Sequence, residues 1–289
     1  MSNGSTKIRI YEVGPRDGLQ NEKELIATEQ KVELVNLLSD TGFDKIEVTS
    51  FVSPKWVPQM ADATEVLSAI NRNANVTYAA LTPNMKGFEK AIEANVEEVA
   101  IFGSASETFS QKNINCSIKE SLDRFIPVVK AGREANLPVR AYVSCVAGCP
   151  YEGDISPEAV KVVAEQLLEM GCYEVSLGDT IGRGTPELIS KMLEAVLKTV
   201  PANQIAGHYH DTNGRALDNV QASLEYGVTT YDSAVGGLGG CPYAPGAKGN
   251  LSTKSLAEML LAEGYATGLD MQKLQKAEDY LAQNIANKN

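Results

Sequence analysis

Eight times along this chain of 289 residues a short apolar run is followed by a longer amphipathic stretch. The runs at 7–14, 45–50, 76–81, 97–102, 138–145, 172–177, 204–210 and 229–235 have the length and β-branched content of buried strands. The stretches at 28–41, 61–71, 86–94, 118–135, 157–170, 186–199, 214–226 and 253–263 place apolar residues near helical spacing. Helix starts are marked: Ser156-Pro157 and Thr185-Pro186 set a capping hydroxyl before a first-position proline, and Ser117 with Glu120 has capping-box spacing. Strand–helix alternation repeated eight times predicts an α/β fold, a (β/α)8 TIM barrel. A ninth helix at 271–287 is left over as a C-terminal addition. No linker or low-complexity tract interrupts the pattern, so residues 1–289 are expected to form a single catalytic domain with 1–6 as a flexible tail. An open doubly wound sheet is the competitor, but its Gly-rich phosphate turn is missing after the first strand.

Charge and composition narrow the partners. Lys plus Arg number 26 and Asp plus Glu 37, a net charge of −11. Such a chain is a poor binder of nucleic acid, which needs a basic surface, although a few local cations can still hold an anionic small ligand. No run of apolar residues is long enough to cross a membrane. No signal or transit segment is recognisable, so a cytoplasmic location is expected. The five cysteines, at 116, 145, 149, 172 and 241, are odd in number and scattered, and read as reduced thiols rather than a disulfide framework.

In such a barrel, side chains at the C-terminal strand ends and in the loops that follow face the active site. Strand 1 ends in Gly14-Pro15-Arg16-Asp17-Gly18, and strand 2 carries Glu47, Thr49 and Ser50. Strand 5 carries Arg140, Tyr142 and Ser144; strand 6 ends in Ser176-Leu177-Gly178-Asp179. The only two histidines, His208 and His210, stand two apart at the end of strand 7. Period 2 puts both rings on one face, whereas a lone histidine there would read as packing. Two imidazoles and a carboxylate from another strand make three ligands of a divalent site. Asp17 and the Asn250 amide, as oxygen ligands, tilt it towards Mg²⁺ or Mn²⁺. Arg16 beside Asp17 and Glu47 allows two readings. One is a structural ion-pair network. In the other, Asp17 binds metal, Glu47 orients Arg16, and Arg16 faces developing oxyanion charge. The glycine-rich loop at 236–240 matches no phosphate-binding turn and is expected to be a mobile lid. Cys241, just beyond it, is either a general acid–base or an incidental thiol. Lys23, Lys55, Lys86, Lys112 and Arg183 fall on the same face and can meet a phosphorylated carrier, or be plain surface charge. Asn113, Ser176 and Asp179 are candidate substrate partners.

Several segments together resemble the 3-hydroxy-3-methylglutaryl-CoA lyase family. They are Glu12-Val13-Gly14-Pro15-Arg16-Asp17-Gly18-Leu19-Gln20-Asn21-Glu22, the segment from Thr49 to Pro58, Lys112 to Ser117, Gly148 to Gly153, Ser176 to Gly182, and the Cys241 loop. The likeness runs from about residue 7 to 270. Arg-Asp, Glu and His-x-His are shared by a wider group of barrel lyases and synthases; the Cys241 loop and Phe51–Pro58 are more specific.

The resemblance implies a homodimeric, metal-dependent barrel. Its reaction would be cleavage of (S)-3-hydroxy-3-methylglutaryl-CoA to acetyl-CoA and acetoacetate in leucine degradation and ketone-body formation. It implies Asp17, His208, His210 and Asn250 as metal ligands, Arg16 as the clamp on substrate and enolate, Cys241 as the acid–base thiol, and Glu47 in support. The acceptor of the hydroxyl proton stays open among His208, Asp17 and a metal-bound water. Some relatives carry a regulatory C-terminal cysteine; no cysteine follows Cys241 here, so no such switch is expected. The stretch Asp232–Gly236 differs slightly in wording from the family's but keeps small residues. Two rival readings are a sister enzyme acting on another acyl-CoA or 2-oxo acid, and an acyl-CoA-binding protein without chemistry.

Overall fold

The computed structural model describes residues 5–241 and 244–285, and between 240 and 248 only the backbone. Eight parallel strands close on themselves: β1 (Arg9–Glu12), β2 (Lys45–Ser50), β3 (Thr77–Leu81), β4 (Glu98–Ser104), β5 (Val139–Ser144), β6 (Glu174–Asp179), β7 (Ile205–Tyr209) and β8 (Thr230–Ser233). Closure is made by β1 against β8, with Arg9 opposite Thr230 and Glu12 opposite Ser233. Helices α1 (Thr28–Ser39), α2 (Ala63–Ala69), α3 (Met85–Glu93), α4 (Glu107–Ile114), α5 (Ile118–Glu134), α6 (Pro157–Met170), α7 (Pro186–Val196), α8 (Ala216–Glu225) and α9 (Thr253–Ala262) pack outside, and α10 (Met271–Asn284) follows as the expected extra helix. The fold is the (β/α)8 barrel that the alternation predicts. Among the described residues no helix is long and apolar enough to cross a membrane.

Period 2 along the strands separates two environments. Ile46, Val48, Val139, Ala141, Val143, Val175, Leu177 and Ile205 face outward into the main apolar layer, where they meet helix residues such as Leu34, Leu167 and Leu193. The alternate residues point into the barrel. Leu81, Ala100 and Tyr142 form one apolar patch there. Tyr11, Val13 and Ala79 form a second, and between them stand charged and hydroxylic side chains: Lys45, Glu47, Glu98, Arg140, Glu174, Ser176, His208 and Asp232, with Arg140 fully buried. Barrel interiors are usually filled with Val, Ile and Leu.

The predicted caps are present. Ser156 accepts from Ala159 N, Thr185 from Leu188 N, and Ser117 and Glu120 form a capping box. Two local features differ from the sequence reading. Helix α4 is additional, and Ser106 caps it by accepting from Phe109 N. Strand β1 stops at Glu12, because residues Gly14–Gly18 form a wide turn in which Val13 O accepts from Asp17 N (2.8 Å) and Gly18 N (3.3 Å). The glycine-rich loop begins as a packed turn, Val235–Gly237, in which Gly237 N donates to Ala234 O at 2.9 Å. Gly236 and Gly237 have φ of 63° and 65°, a left-handed backbone that glycine adopts without strain. The chain then pairs antiparallel as β9 (Gly240–Cys241) with β10 (Ala244–Lys248).

Candidate active site

The wide turn after β1 lifts Arg16 and Asp17 over the barrel mouth. An extra residue in a helical turn of this type is frequent at functional sites. Arg16 is held on two sides: Nε donates to Glu47 Oε2 at 2.6 Å and Nη1 to Asp17 Oδ1 at 2.5 Å. Its guanidinium carbon lies 5.3 Å from the centre of the Tyr142 ring, and the Tyr142 hydroxyl donates to Glu47 Oε2 at 3.1 Å. Burial opposes the Arg16 charge, but Glu47 and then Asp17 outweigh it and keep the group protonated. Burial raises Glu47, with Arg16 acting against that. Glu47 Oε1 is buried with no partner.

Asp17 sits between this cation and the two imidazoles. Burial pushes its carboxyl up, but Arg16, then His208 and His210, bring it down to about 2. The atoms offered by Asp17, His208 and His210 all lie within 4.8 Å of one another, and they form a group that could hold a metal ion. His208 Nε2 is 3.9 Å from Asp17 Oδ2, and the two histidine rings have centroids 5.3 Å apart. The alternation on β7 therefore does what period 2 predicts. Burial, then the neighbouring His208, lowers His210 to about 4, which leaves it neutral near pH 7. Its Nδ1 is buried without a hydrogen-bond partner. A neutral imidazole with an orphan nitrogen, a second imidazole and an ionised carboxylate suit a divalent ion. Asn250 joins the group by its amide, whose Nδ2 donates to Asp17 Oδ2 (2.8 Å) and to Leu238 O (3.1 Å).

The remaining candidates are distributed more widely. Ser176 is fully buried, and its hydroxyl donates to Asp232 Oδ2 at 2.6 Å. Asp179 accepts backbone N–H from Arg183 (3.0 Å) and Gly184 (2.8 Å), so its oxygens secure its own loop, and burial raises its carboxyl to about 6. Lys23 is exposed in the loop before α1, and Asn113 is exposed on the last turn of α4. Lys112 lies 5.2 Å from the Tyr151 ring and Arg183 pairs with Asp154 at 2.6 Å. The side chain of Cys241 lies outside the described residues. The other four cysteines are buried free thiols. Sequence reasoning passed over Asp232. Its signal is positional, since it is an interior-facing residue on the strand next to the histidines.

The HMGL-like family model matches residues 7–281. The rat protein named hydroxymethylglutaryl-CoA lyase, mitochondrial, is 55% identical over 98% of this chain and 87% of its own length. The zebrafish protein named 3-hydroxy-3-methylglutaryl-CoA lyase, cytoplasmic, is 56% identical over 97% of this chain and 84% of its own. The crystal structure of the HMG-CoA lyase from Brucella melitensis superposes with a TM-score of 0.95 at 55% identity, covering 96% of this chain and 98% of that one. With a family model spanning nearly the whole chain and relatives more than half identical along it, this protein belongs to the HMGL-like family of hydroxymethylglutaryl-CoA lyases.

Proposed function

We infer that the chain is a carbon–carbon lyase that cleaves (S)-3-hydroxy-3-methylglutaryl-CoA to acetyl-CoA and acetoacetate, a step of leucine degradation and ketone-body formation. The observation that carries this reading is the convergence of Arg16, Asp17, His208 and His210 at the barrel mouth. The reaction is a retro-Claisen cleavage. The hydroxyl proton at C3 must leave, the C2–C3 bond must break, its electron pair must reach the thioester oxygen, and C2 must gain a proton.

A divalent ion, Mg²⁺ or Mn²⁺, held by Asp17, His208, His210 and Asn250, would act as a Lewis acid on the hydroxyl and carboxylate oxygens. Arg16, fixed by Glu47, presents a planar fork to the thioester oxygen, where negative charge collects. The hydroxyl proton would leave to a base at the barrel mouth; Asp17, held at about 2, is a weak acceptor, and His208 can take the proton only through a nitrogen whose lone pair is not given to the metal. Cys241 delivers the proton to C2 as the loop closes. Lys23 and Asn113 are proposed to meet the carrier end of the acyl-CoA; Ser176 and Asp179, engaged within the chain, shape the wall beneath. We further propose that residues 1–289 act as one catalytic domain, that the enzyme is a homodimer, and that it works in the cytoplasm, the compartment in the zebrafish relative's name. Sedimentation and cell fractionation test the last two.

The decisive experiment offers the metal-loaded protein 3-hydroxy-3-methylglutaryl-CoA in one vessel and a 2-oxo acid with acetyl-CoA in another. Equal release of acetyl-CoA and acetoacetate in the first is expected. Consumption of the 2-oxo acid with the hydroxyacyl-CoA left intact would assign a sister reaction. Acyl-CoA binding without turnover in either vessel would leave a binding protein.

A further inference from the structure

Beneath the candidate metal ligands lies a buried group of charges that the cleavage reaction does not itself use. Arg140, on β5, is fully buried. Its Nη2 donates to Asp232 Oδ1 at 2.7 Å, its Nη1 to Asp232 Oδ2 at 3.1 Å, and its Nε to Glu174 Oε1 at 2.7 Å. Its guanidinium carbon stands 4.2 Å from the Tyr11 ring centre and 5.0 Å from that of Tyr142. The fork is thus fixed in plane and in direction. Asp232 in turn receives Ser176 Oγ at 2.6 Å and faces His208 Nδ1 at 3.1 Å.

We propose that Asp232, clamped by Arg140 and Ser176, is a positioning residue that fixes His208 as its Nδ1–H tautomer and so aims the Nε2 lone pair at the site. An ionised carboxylate can only accept hydrogen bonds, so the ring nitrogen facing it must carry hydrogen. The bidentate contact with Arg140 keeps Asp232 in that form. Nε2, on the far side of the ring, then looks towards Asp17 Oδ2 across 3.9 Å. A stability argument alone does not account for the group. Apolar residues of similar volume in a barrel interior are often as stabilising as a buried ion-pair network, or more so. What the network adds is direction for one imidazole, and His208 and Asp232 sit on neighbouring strands where that direction can be imposed. Hydrogen-bonded carboxylates behind a ligating imidazole orient the ring and raise its basicity.

This inference rests on His208 serving the site as proposed above, and the test separates the two. The chain has only two histidines, so ¹⁵N-histidine labelling yields two imidazole rings to resolve. The ¹⁵N–¹H correlation spectrum is recorded on metal-free protein at a pH that leaves both rings neutral, with His210→Gln to assign them. One ring, His208, is expected as the Nδ1–H tautomer. Asp232→Asn, nearly the same shape but able to donate, is expected to shift that ring towards Nε2–H. It should also weaken Mn²⁺ binding, followed by electron paramagnetic resonance, by about 10- to 100-fold, and lower kcat more than it alters KM. A wild-type His208 in the Nε2–H form overturns the inference, and that spectrum decides even if Asp232→Asn does not fold. An unchanged tautomer and Mn²⁺ affinity in folded Asp232→Asn also overturns it. Wild-type protein that binds no Mn²⁺ but shows the expected tautomer and its shift would sink the metal reading and uphold the assignment of Asp232.

Discussion

Arg16 is held in place by carboxylates on two sides, and its geometry rather than its charge alone is what the site needs. A lysine could pair with Glu47 or Asp17 but could not span both and still face a thioester oxygen. We expect Arg16→Lys to lower kcat by about 10²- to 10³-fold, the range for a lost oxyanion donor; turnover within a few-fold of wild type would remove Arg16 from that role. Cys241→Ala is expected to leave Mn²⁺ affinity intact and to lower turnover by about two orders of magnitude or more, as for a lost acid–base group. Near-normal turnover would make the thiol incidental. At this scale much of the site was legible in the sequence. A pair of histidines two apart at a strand end can face only one way, and Arg-Asp at the end of the first strand falls on the same barrel face. The partners of these residues were not legible. Arg140 and Ser176 were read as facing the barrel mouth, but their meeting at Asp232 was not, because the three lie far apart in the chain and period alone does not say which polar side chains of separate strands touch.

The elements that carry the site are joined by one buried carboxyl. Glu12, the last residue of β1, accepts from Gly14 N (2.8 Å), Val235 N (2.9 Å) and Thr253 Oγ1 (2.6 Å). It thereby ties the turn bearing Arg16 to the glycine turn and to α9. Burial raises it from 4.5 to about 7, against the hydrogen bonds it receives. A carboxyl raised on folding binds more protons in the folded state between pH 4.5 and 7, so its contribution to stability is present at the acid end and is lost as pH rises through that window. Glu12→Gln, which cannot ionise, should therefore gain on wild type across the window by at most about 3 kcal/mol in denaturant titrations. A stability difference independent of pH would contradict this.

Gly239 makes a second link. Its φ is 98°, and a Cβ there would lie 2.8 Å from Asn250 Nδ2. Gly239→Ala is expected to cost about 1–2 kcal/mol of strain and to weaken Mn²⁺ binding about tenfold through Asn250. Normal stability with normal metal affinity would show that the close approach is unimportant. The eight strands and their helices could be read from period alone, since each has an apolar side against the helix layer. Helix α4 escaped because its sequence, ETFSQKNI, has little apolar face, and its capping Ser106 was the one signal present. The glycine turn was read from composition alone, which does not reveal that Gly236 and Gly237 occupy positions of positive φ.

For the molecule as a whole, the barrel joins an apolar outer layer to an interior that mixes apolar clusters with buried charge, and the charged part is proposed to direct groups at its mouth. The net charge of −11 opposes an anionic substrate at long range, so a few local cations have to meet it. Leu281 of α10 sits where a Cβ on Gly236 would fall, within 2.6 Å, so the added helix braces the glycine turn from outside. Residues on β1, β7 and the loops beside them are proposed to assemble a divalent-metal lyase site. The measurement that tests it most directly is turnover of 3-hydroxy-3-methylglutaryl-CoA by metal-stripped protein as Mg²⁺ or Mn²⁺ is added back. Expected are no products without metal, saturable recovery with acetyl-CoA and acetoacetate in equal amounts, and no recovery in Asp17→Ala at the concentration that saturates wild type. Full turnover by the stripped protein, or full recovery in Asp17→Ala, would contradict that proposal.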